Sequence, residues 1–390
     1  RKFIHSSSPK GKKEMNSLKI RVKGIILLMA LTLLGCPAGF ERPYDKSIQQ
    51  HNHLASLSQQ PDLLKQLPLP EGLSAKRVDF IWDNEHILII QDFNGGVVLN
   101  LSTETIRHHY PFEHEIASAQ LFNPERYLLL QGRGFGNIWY ISNNEWRLNW
   151  DNPDTNAQAT AVSEHYIFTG EYLHRFDTGQ PILCTPGQYH AILTAAAISP
   201  DETLLATGGT WDDQVILWDI NSGKQLDLWS MSDHVKTLAF SADNRYLYAT
   251  SYRHWVAYEW ATQTRVFENA NPFSWWGGHY LPERDAMLIV SAAGVVQWLQ
   301  APEGKVVWRY HAGEDIIAYN AEPQADLALA LKNGAIALVD MNTGNEWLRL
   351  KHDFYVDAVA ISADRRFLVA GIVRHGRGEL VLWQLPQSAP

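Results

Sequence analysis

Histidine and cysteine are the residue types in this sequence best suited to metal binding or nucleophilic catalysis, and their spacing supports neither. The 390-residue chain has sixteen histidines but no His-x-Glu or Cys-x-x-Cys pair, the spacings typical of metal sites. The neighbouring His108 and His109 point to opposite faces of a strand, so they cannot chelate one ion together. Cys184 follows an apolar run and has no identifiable base beside it, which a thiol nucleophile needs. We therefore predict no metal, no cofactor and no catalytic residue.

Aspartates are the next candidates, but they fall in turns. Asp212, Asp213, Asp243 and Asp364 occupy turns in which a carboxylate accepts hydrogen bonds from backbone N–H groups. An enzyme needs such acids to converge with bases or a metal ion in one pocket. The chain also lacks the long insertions that build cofactor pockets. A quinone-dependent or hydrolytic enzyme stays an alternative, and the sequence favours a protein that is not an enzyme.

Cys36 stands at the end of a segment with the charge order of a signal peptide. Residues 15–23 contain three basic residues, residues 25–31 are apolar, and Leu33-Leu34-Gly35 precedes the cysteine. This arrangement resembles the lipobox of bacterial lipoproteins. The resemblance implies translation from Met15, cleavage before Cys36 and attachment of lipid to the Cys36 thiol. An uncleaved signal anchor is the alternative.

The lipoprotein resemblance also implies a location and a charge for the mature chain. Pro37 stands where, in enteric-type bacteria, an acidic residue retains a lipoprotein in the inner membrane. We therefore expect a lipid-anchored protein of the bacterial cell envelope, on the periplasmic leaflet of the outer membrane. The predicted signal peptide, residues 1–35, holds eight of the 33 basic and one of the 42 acidic residues, which leaves a formal net charge of −16. Such a charge argues against a nucleic-acid partner.

Short apolar strands joined by tight turns recur along the rest of the sequence. In the clearest unit, Ser199-Pro200-Asp201 forms a turn between strands and Trp218-Asp219 closes a third strand. Repeats of about 40–45 residues, with four strands and a Trp-Asp pair, are typical of propellers. The sequence resembles the WD-repeat family over about residues 76–385. Equivalent points lie 36 to 42 residues apart, at Phe80, Phe122, Val162, Ile198, Phe240, Tyr280, Tyr319 and Ile361.

The repeats predict an all-β fold, a single propeller of eight four-stranded blades. Seven is the alternative if the irregular third unit is not a blade. The last unit lacks its outermost strand, and residues 63–67 have the sequence of the missing one. An N-terminal strand that completes the last blade would close the ring and remove two exposed edges. We expect a flexible tether over residues 36–61 and a monomeric WD-like propeller over residues 62–385.

The WD-repeat resemblance implies structural roles for several residues. His190, His234 and His352 lie where such propellers commonly have a histidine that hydrogen-bonds within its own blade. Trp218 and Trp383 lie on third strands, where they fill the space between blades, and Asp219 closes its strand beside Trp218.

One face of the predicted propeller gathers arginine and aromatic residues. The turns between second and third strands share that face with the connections between blades. Trp275-Trp276, between Pro272 and a glycine pair, is predicted to form an exposed loop there. Arginine and aromatic residues are enriched in protein interfaces. The predicted protein-binding residues are Arg133, Trp211, Arg253, Trp275, Trp276, Arg374 and Arg377.

Together these features favour a non-catalytic, membrane-anchored lipoprotein that acts as an interaction scaffold for other envelope proteins. A more specific alternative comes from residues 338–347, an aspartate and a Thr-Gly pair followed by tryptophan. This run resembles the blade motif of quinoprotein-like eight-bladed propellers. Lipoproteins of that type assist outer-membrane protein assembly, and the resemblance implies such a role as the alternative.

Overall fold

The structure, a computed structural model, describes residues 61–69, 74–82, 85–91, 95–116, 118–122, 127–132, 135–141, 145–151, 160–185, 193–210, 213–270, 275–322, 326–375 and 377–386. The predicted signal peptide, Cys36 and nearly all of the predicted tether lie outside these residues. The described strands form eight antiparallel sheets of four strands each, as predicted. Within the described ranges, the one helical segment is a 3₁₀ turn at Pro282–Arg284. No helix among the described residues is long and apolar enough to cross a bilayer.

The first four blades follow one another along the chain, each as a simple up-and-down sheet. Blade 3, the irregular unit, has short strands but is a complete blade, so the count is eight. Blade 1 is β2 (Arg77–Ile81), β3 (His86–Gln91), β4 (Gly95–Asn100) and β5 (Thr105–Tyr110). Blade 2 is β6 (Ser118–Phe122), β7 (Tyr127–Gln131), β8 (Phe135–Tyr140) and β9 (Glu145–Asp151). Blade 3 is β10 (Ala161–Val162), β11 (Tyr166–Phe168), β12 (Tyr172–Arg175) and β13 (Pro181–Cys184), and blade 4 is β14 (Leu193–Ile198), β15 (Leu204–Gly209), β16 (Gln214–Asp219) and β17 (Gln225–Ser230).

The last four blades continue the same pattern, except that the fourth strand of the final blade comes from the N-terminal side of the propeller sequence. Blade 5 is β18 (Val235–Phe240), β19 (Tyr246–Ser251), β20 (His254–Glu259) and β21 (Thr264–Ala270). Blade 6 is β22 (Trp275–Leu281), β23 (Ala286–Ser291), β24 (Val295–Gln300) and β25 (Lys305–His311). Blade 7 is β26 (Ile316–Ala321), β27 (Asp326–Leu331), β28 (Ile336–Asp340) and β29 (Glu346–Leu350). Blade 8 is β30 (Tyr355–Ile361), β31 (Phe367–Arg374) and β32 (Arg377–Gln384), with β1 (Asp62–Pro68) as its fourth strand.

Strand β1 closes the ring, as the sequence predicted. It pairs antiparallel with β32 from Asp62 opposite Gln384 to Pro68 opposite Glu379. Lys65 also reaches blade 1, where its ammonium group donates to the backbone carbonyl of Leu101 and lies 2.9 Å from the Glu104 carboxylate. The strand therefore joins the last blade to the first.

The two ends of the blades differ in the turns they carry. First strands contact each other between blades 3 and 4, 4 and 5, 5 and 6, 7 and 8, and 8 and 1, so they lie innermost and the fourth strands form the rim. We call upper the face that carries the turns between second and third strands and the connections between blades. The lower face carries the remaining turns, between first and second and between third and fourth strands.

Apolar side chains fill every seam between neighbouring blades. Eight clusters of buried residues occupy the eight seams, one cluster to each. Trp218 packs between blades 3 and 4, and Trp383 packs between blades 7 and 8. Burial of such rings contributes the large apolar area that holds the blades together.

Polar side chains near the axis add hydrogen bonds between blades. Thr194 of blade 4 donates to the carbonyl of Val235 in blade 5, at 2.5 Å. Thr237 of blade 5 donates to the carbonyl of Gly278 in blade 6, at 2.9 Å. These bonds hold the first strand of blade 5 to the first strands of blades 4 and 6.

Candidate protein-binding face

Three described arginines have no polar partner among the residues that the structure describes, and all three lie on the upper face. Arg253 lies in the turn between β19 and β20, while Arg374 and Arg377 flank the turn between β31 and β32. None of their guanidinium groups forms a hydrogen bond or ion pair with a described residue. Guanidinium groups without internal partners are available to carboxylates or carbonyls of another molecule. Every other arginine in the described ranges contacts a carboxylate, a carbonyl, an amide or an imidazole.

The hairpin that carries Arg374 and Arg377 is longer than its counterpart in blade 5. Strands β31 and β32 have eight residues each, whereas β19 and β20 have six. Both β31 and β19 begin five residues after an equivalent turn serine, Ser362 or Ser241, so the two extra residues lie at the upper end. At about 3.3 Å per residue, the hairpin extends roughly 6–7 Å further.

Neighbouring strands support this extension. Tyr355, at the start of β30, lies opposite Val373 of β31. On the other side, the Leu69 N–H that follows β1 donates to the Gly378 carbonyl of β32, at 2.9 Å. The upper end of blade 8 is therefore a sheet edge braced on both sides rather than an isolated turn.

Arg374 is held by a column of stacked side chains. Its guanidinium carbon lies 5.2 Å from the centre of the Phe354 ring. Phe354 stacks on His352 at 4.4 Å between ring centres, and His352 lies 5.1 Å from the buried Trp383. Burial and the Arg374 charge lower the pKa of His352, so its imidazole is neutral at pH 7. The column fixes the Arg374 side chain and leaves one positive charge at its outer end.

Arg374 and Arg377 lie directly opposite each other in the strand register. Like charges at directly opposed positions destabilise an antiparallel pair. Of the two, Arg377 is the more exposed. Asp353, next to the column, is exposed and counts among the charges that act on His352. The pair of arginines thus carries an electrostatic cost in the isolated protein.

A second group of polar and aromatic residues surrounds Arg253. The Lys236 ammonium group lies 4.0 Å from the centre of the Tyr252 ring. His234 Nδ1 lies 2.9 Å from the Asp213 carboxylate, and its ring is near Tyr252. Here the upper face presents a cation over an aromatic ring beside an unpaired guanidinium.

The structure corrects one predicted binding element. Trp275 and Trp276 do not form a loop, because they are the first residues of β22 and Trp275 pairs with Ser291. Gly278 serves packing rather than turning, since a Cβ atom there would lie 2.8 Å from the Thr250 methyl group. Arg133 and Trp211 lie outside the described residues, so their predicted role stays a prediction. The same holds for the binding roles of Arg253, Arg374 and Arg377.

The predicted structural residues have the following surroundings. The Trp218 indole N–H donates to Thr207 Oγ1 at 3.0 Å, and Asp219 accepts from the Ser222 N–H at 2.6 Å. His234 differs from the prediction, because its partner Asp213 belongs to the preceding blade, where it ends a second-to-third turn. His190 lies outside the described residues.

A polar cluster in the central channel was not predicted. Arg77 lies 2.5 Å from the Asp79 carboxylate and also donates to the Ala119 carbonyl of blade 2. The His279 imidazole forms a hydrogen bond with the Tyr319 hydroxyl across blades 6 and 7. Burial and the Arg77 charge lower the pKa of His279, and burial raises that of Tyr319. Both rings are therefore uncharged at pH 7, and the cluster links blades rather than presenting a free acid or base.

The sequence alone gives little indication of this polar cluster. Arg77 and Asp79 occupy alternate positions of β2, while His279 lies on β22 and Tyr319 on β26. All three strands are first strands, and alternate residues of a strand face the same side. A propeller topology is needed before Arg77 and His279, about 200 residues apart in sequence, can be placed together. No group of three or more metal-ligating side chains converges within the described ranges.

The clearest repeat of the sequence, with Ser199-Pro200-Asp201 and Trp218-Asp219, matches a known family model. Residues 179–219 match the family model described as "WD domain, G-beta repeat". This segment is a WD repeat. It comprises the outermost strand of blade 3 and the three inner strands of blade 4, so the WD repeat is offset from the blade by one strand. That offset is the same one by which β1 completes blade 8 at ring closure.

Two further similarities extend over different lengths. The chain is 41% identical over 64 residues to "Eukaryotic translation initiation factor 3 subunit I" of Phaeosphaeria nodorum, which covers 16% of this chain and 19% of that protein. The chain thus aligns with about a fifth of that relative's length. A solved structure of the computationally designed Ika8 protein has a TM-score of 0.65 and 15% sequence identity, covering 84% of this chain and all of that one. This likeness concerns the fold alone.

Proposed function

We propose that this propeller is a non-catalytic interaction scaffold whose upper face binds other proteins. The observation that carries the proposal is the distribution of arginines: those without a partner among the described residues lie on the upper face, and the other described arginines each have one. Arginine next to aromatic side chains is typical of interface hot spots. Tyr355, which is 47% exposed, and Arg374 above Phe354 form such a combination on blade 8. The WD repeat in blade 4 agrees with a binding role.

We further propose that the scaffold is anchored in a bacterial envelope by lipid on Cys36. The lipobox-like segment before Cys36 and the acidic composition of the remaining chain support this part. A lipid anchor would hold the propeller near a membrane without basic residues. The partners of the propeller are then other proteins of the envelope, on the periplasmic side of the outer membrane.

The binding role is tested by removing the unpaired charges. Replacing Arg253, Arg374 and Arg377 together with Ala should leave the unfolding temperature unchanged and abolish co-purification of partners after crosslinking in the native envelope. The matched control replaces Arg175, Arg245 and Arg366 of the lower face, each of which has an ion pair. Equal partner recovery from both triple variants would contradict the upper-face assignment.

The anchoring is tested separately. Cys36→Ser should shift the protein from the membrane fraction to the soluble fraction, because no acyl chain can be attached. Cys184→Ser is the control and should leave the distribution unchanged. Retention of the Cys36 variant in membranes would refute the lipid anchor without affecting the scaffold role.

A second candidate, assistance to outer-membrane protein assembly, is favoured by the turn at residues 340–344. Asp340 accepts from the Thr343 N–H at 2.8 Å, and Gly344 packs on the Trp308 ring of the preceding blade. The run that resembles a quinoprotein-like blade motif therefore packs against the preceding blade. Deletion of the gene should then lower the amounts of outer-membrane barrels, and normal amounts would exclude this candidate.

A further inference from the structure

We infer that the upper end of blade 8 binds an acidic peptide segment of the partner, through the paired guanidinium groups of Arg374 and Arg377. This inference rests on the proposed scaffold function and specifies the chemistry of one of its contacts.

The geometry brings two cations to one sheet edge, and neither forms an ion pair with a described residue. Arg374 and Arg377 are directly opposed, at the end of a hairpin that is two residues longer per strand than the one in blade 5. Neither has a polar partner among the described residues. Because opposed like charges weaken a strand pair, a carboxylate that lies between them would relieve the repulsion.

The stacked side chains beneath Arg374 order its guanidinium group before a partner binds. The stack of Arg374, Phe354, His352 and Trp383 holds Arg374 against a column that ends in the protein core. A side chain ordered in advance loses less conformational entropy on binding. Stacking occupies the face of the guanidinium and leaves its N–H edge for a bidentate carboxylate.

Charge favours an acidic protein segment over an anionic membrane or nucleic acid. The whole chain has 33 basic and 42 acidic residues, a formal net charge of −9, so an extended anionic surface would be repelled. Two arginines at one tip, with the exposed Asp353 nearby, suit one or two carboxylates rather than a phosphate lattice. Tyr355, opposite Val373 in the same extension, adds an exposed apolar surface beside the charges.

The test measures binding of the full-length protein to an array of short synthetic peptides. The array contains acidic peptides with one aromatic residue, the same peptides with Asn and Gln in place of Asp and Glu, phosphoserine peptides and basic peptides. We expect binding to the acidic set, weakened by added salt. The double variant Arg374→Gln/Arg377→Gln should bind these peptides about tenfold more weakly, as expected for the loss of charge-assisted hydrogen bonds.

The matched control is Arg245→Gln/Arg366→Gln, which also removes two positive charges but from the lower face. It should bind the acidic peptides as the wild type does. Equal binding of acidic and amide peptides, equal loss in both double variants, or no binding to any peptide would overturn the inference. So would preference for the phosphoserine peptides or for phosphatidylglycerol vesicles assayed in parallel. If partners still co-purify from the envelope while the peptides fail, the scaffold function stands and only the acidic-segment assignment falls.

Discussion

The carboxylate of Asp326, which is fully buried in blade 7, lies 2.7 Å from the guanidinium group of Arg365 on blade 8. The same guanidinium group lies 3.1 Å from the Asp340 carboxylate. Arg365 occupies a first-to-second turn with a positive φ of 59°, a conformation that costs energy for a residue with a side chain. The contact therefore joins two blades on the lower face through a strained turn.

This pair makes the stability of the propeller depend on pH. Burial raises the pKa of Asp326 to about 6, against an ordinary value of 3.8, although Arg365 opposes the effect. The folded protein therefore binds more protons than the unfolded chain between about pH 4 and 6, and the stability that this group contributes falls as pH rises through that interval. We expect the free energy of unfolding of the wild type, minus that of Asp326→Asn, to fall by about 2–3 kcal/mol from pH 4 to 6.5.

The difference is the informative quantity, because other carboxylates have the opposite effect. The hydrogen bond from Ser241, for example, lowers the pKa of Asp243, whose contribution is lost as pH falls. Such contributions cancel when wild type and variant are measured by urea unfolding at each pH. A difference that stays constant from pH 4 to 6.5 would show that Asp326 titrates normally.

The first-to-second turns provide a prediction about repeated structure. In blade 5, Ser241 Oγ donates to Asp243 at 2.5 Å, and Asp243 also accepts from the Arg245 N–H at 3.0 Å. Asp243→Ala should lower the free energy of unfolding by about 1–2 kcal/mol, because these donors lose their acceptor. Glu283→Ala, an exposed residue of a lower-face turn, should change it by less than about 0.5 kcal/mol. Chemical unfolding measures both, and equal effects would contradict the role of the carboxylate.

The closing strand β1 is tested by two leucines of different burial. Leu67 packs in the seam between blades 8 and 1, whereas Leu64 on the same strand is 42% exposed. Leu67→Ala should lower the free energy of unfolding by about 1–2 kcal/mol, through lost apolar burial at the ring closure. Leu64→Ala should have little effect. If the two variants are equally stable, β1 does not contribute to closure in solution.

Substituting two glycines with similar backbone angles allows the cost of backbone strain to be measured apart from the cost of a packing clash. Gly344 has φ of +71°, and a Cβ atom there would lie 2.6 Å from the Trp308 ring. Gly313 has φ of +76°, with nothing within 4 Å of the equivalent position. We expect Gly313→Ala to cost about 1 kcal/mol from the backbone alone. Gly344→Ala should cost a further 1–3 kcal/mol or so, because the ring must move. Thermal unfolding of both variants measures the difference, and equal costs would mean that blades 6 and 7 are not interlocked at this turn.

Residue patterns of short range predicted most of the fold, and contacts between blades account for the rest. The spacing of turns such as Ser199-Pro200-Asp201 led to eight blades, and the missing outer strand of blade 8 led to β1. The prediction of a loop at Trp275 and Trp276 was wrong because glycines mark turns and close packing alike, and Gly278 serves packing against Thr250. Likewise the partner of His234 lies on the preceding blade, a contact that no local pattern specifies.

For the arginines of the upper face, too, local sequence patterns predicted one part and contacts between blades determine the other. Their position in second-to-third turns followed from the repeat register. Two features depend on how blade 8 meets its neighbours: the stack of Arg374 on Phe354, and the lack of a described partner for Arg374 and Arg377. The sequence therefore predicted on which face these arginines lie, but not which of them lack a partner among the described residues.

The last prediction concerns the cost of the opposed arginines. Arg377→Glu would place a carboxylate opposite Arg374, replacing a repulsive cross-strand pair with an attractive one. We expect the free energy of unfolding to rise by about 0.2–1 kcal/mol. The same change should abolish binding of acidic peptides, because one of two cations is replaced by a negative charge.

A gain in stability with a loss of binding distinguishes a functional charge pair from a structural one. A merely structural arginine would lose stability when its charge is reversed, as we expect for Arg245→Glu, since Arg245 lies 2.6 Å from Glu259. Urea unfolding and peptide binding are measured on both variants, at low and high salt. If Arg377→Glu is destabilised as Arg245→Glu is, then Arg377 has a partner inside the protein and is not held for another molecule.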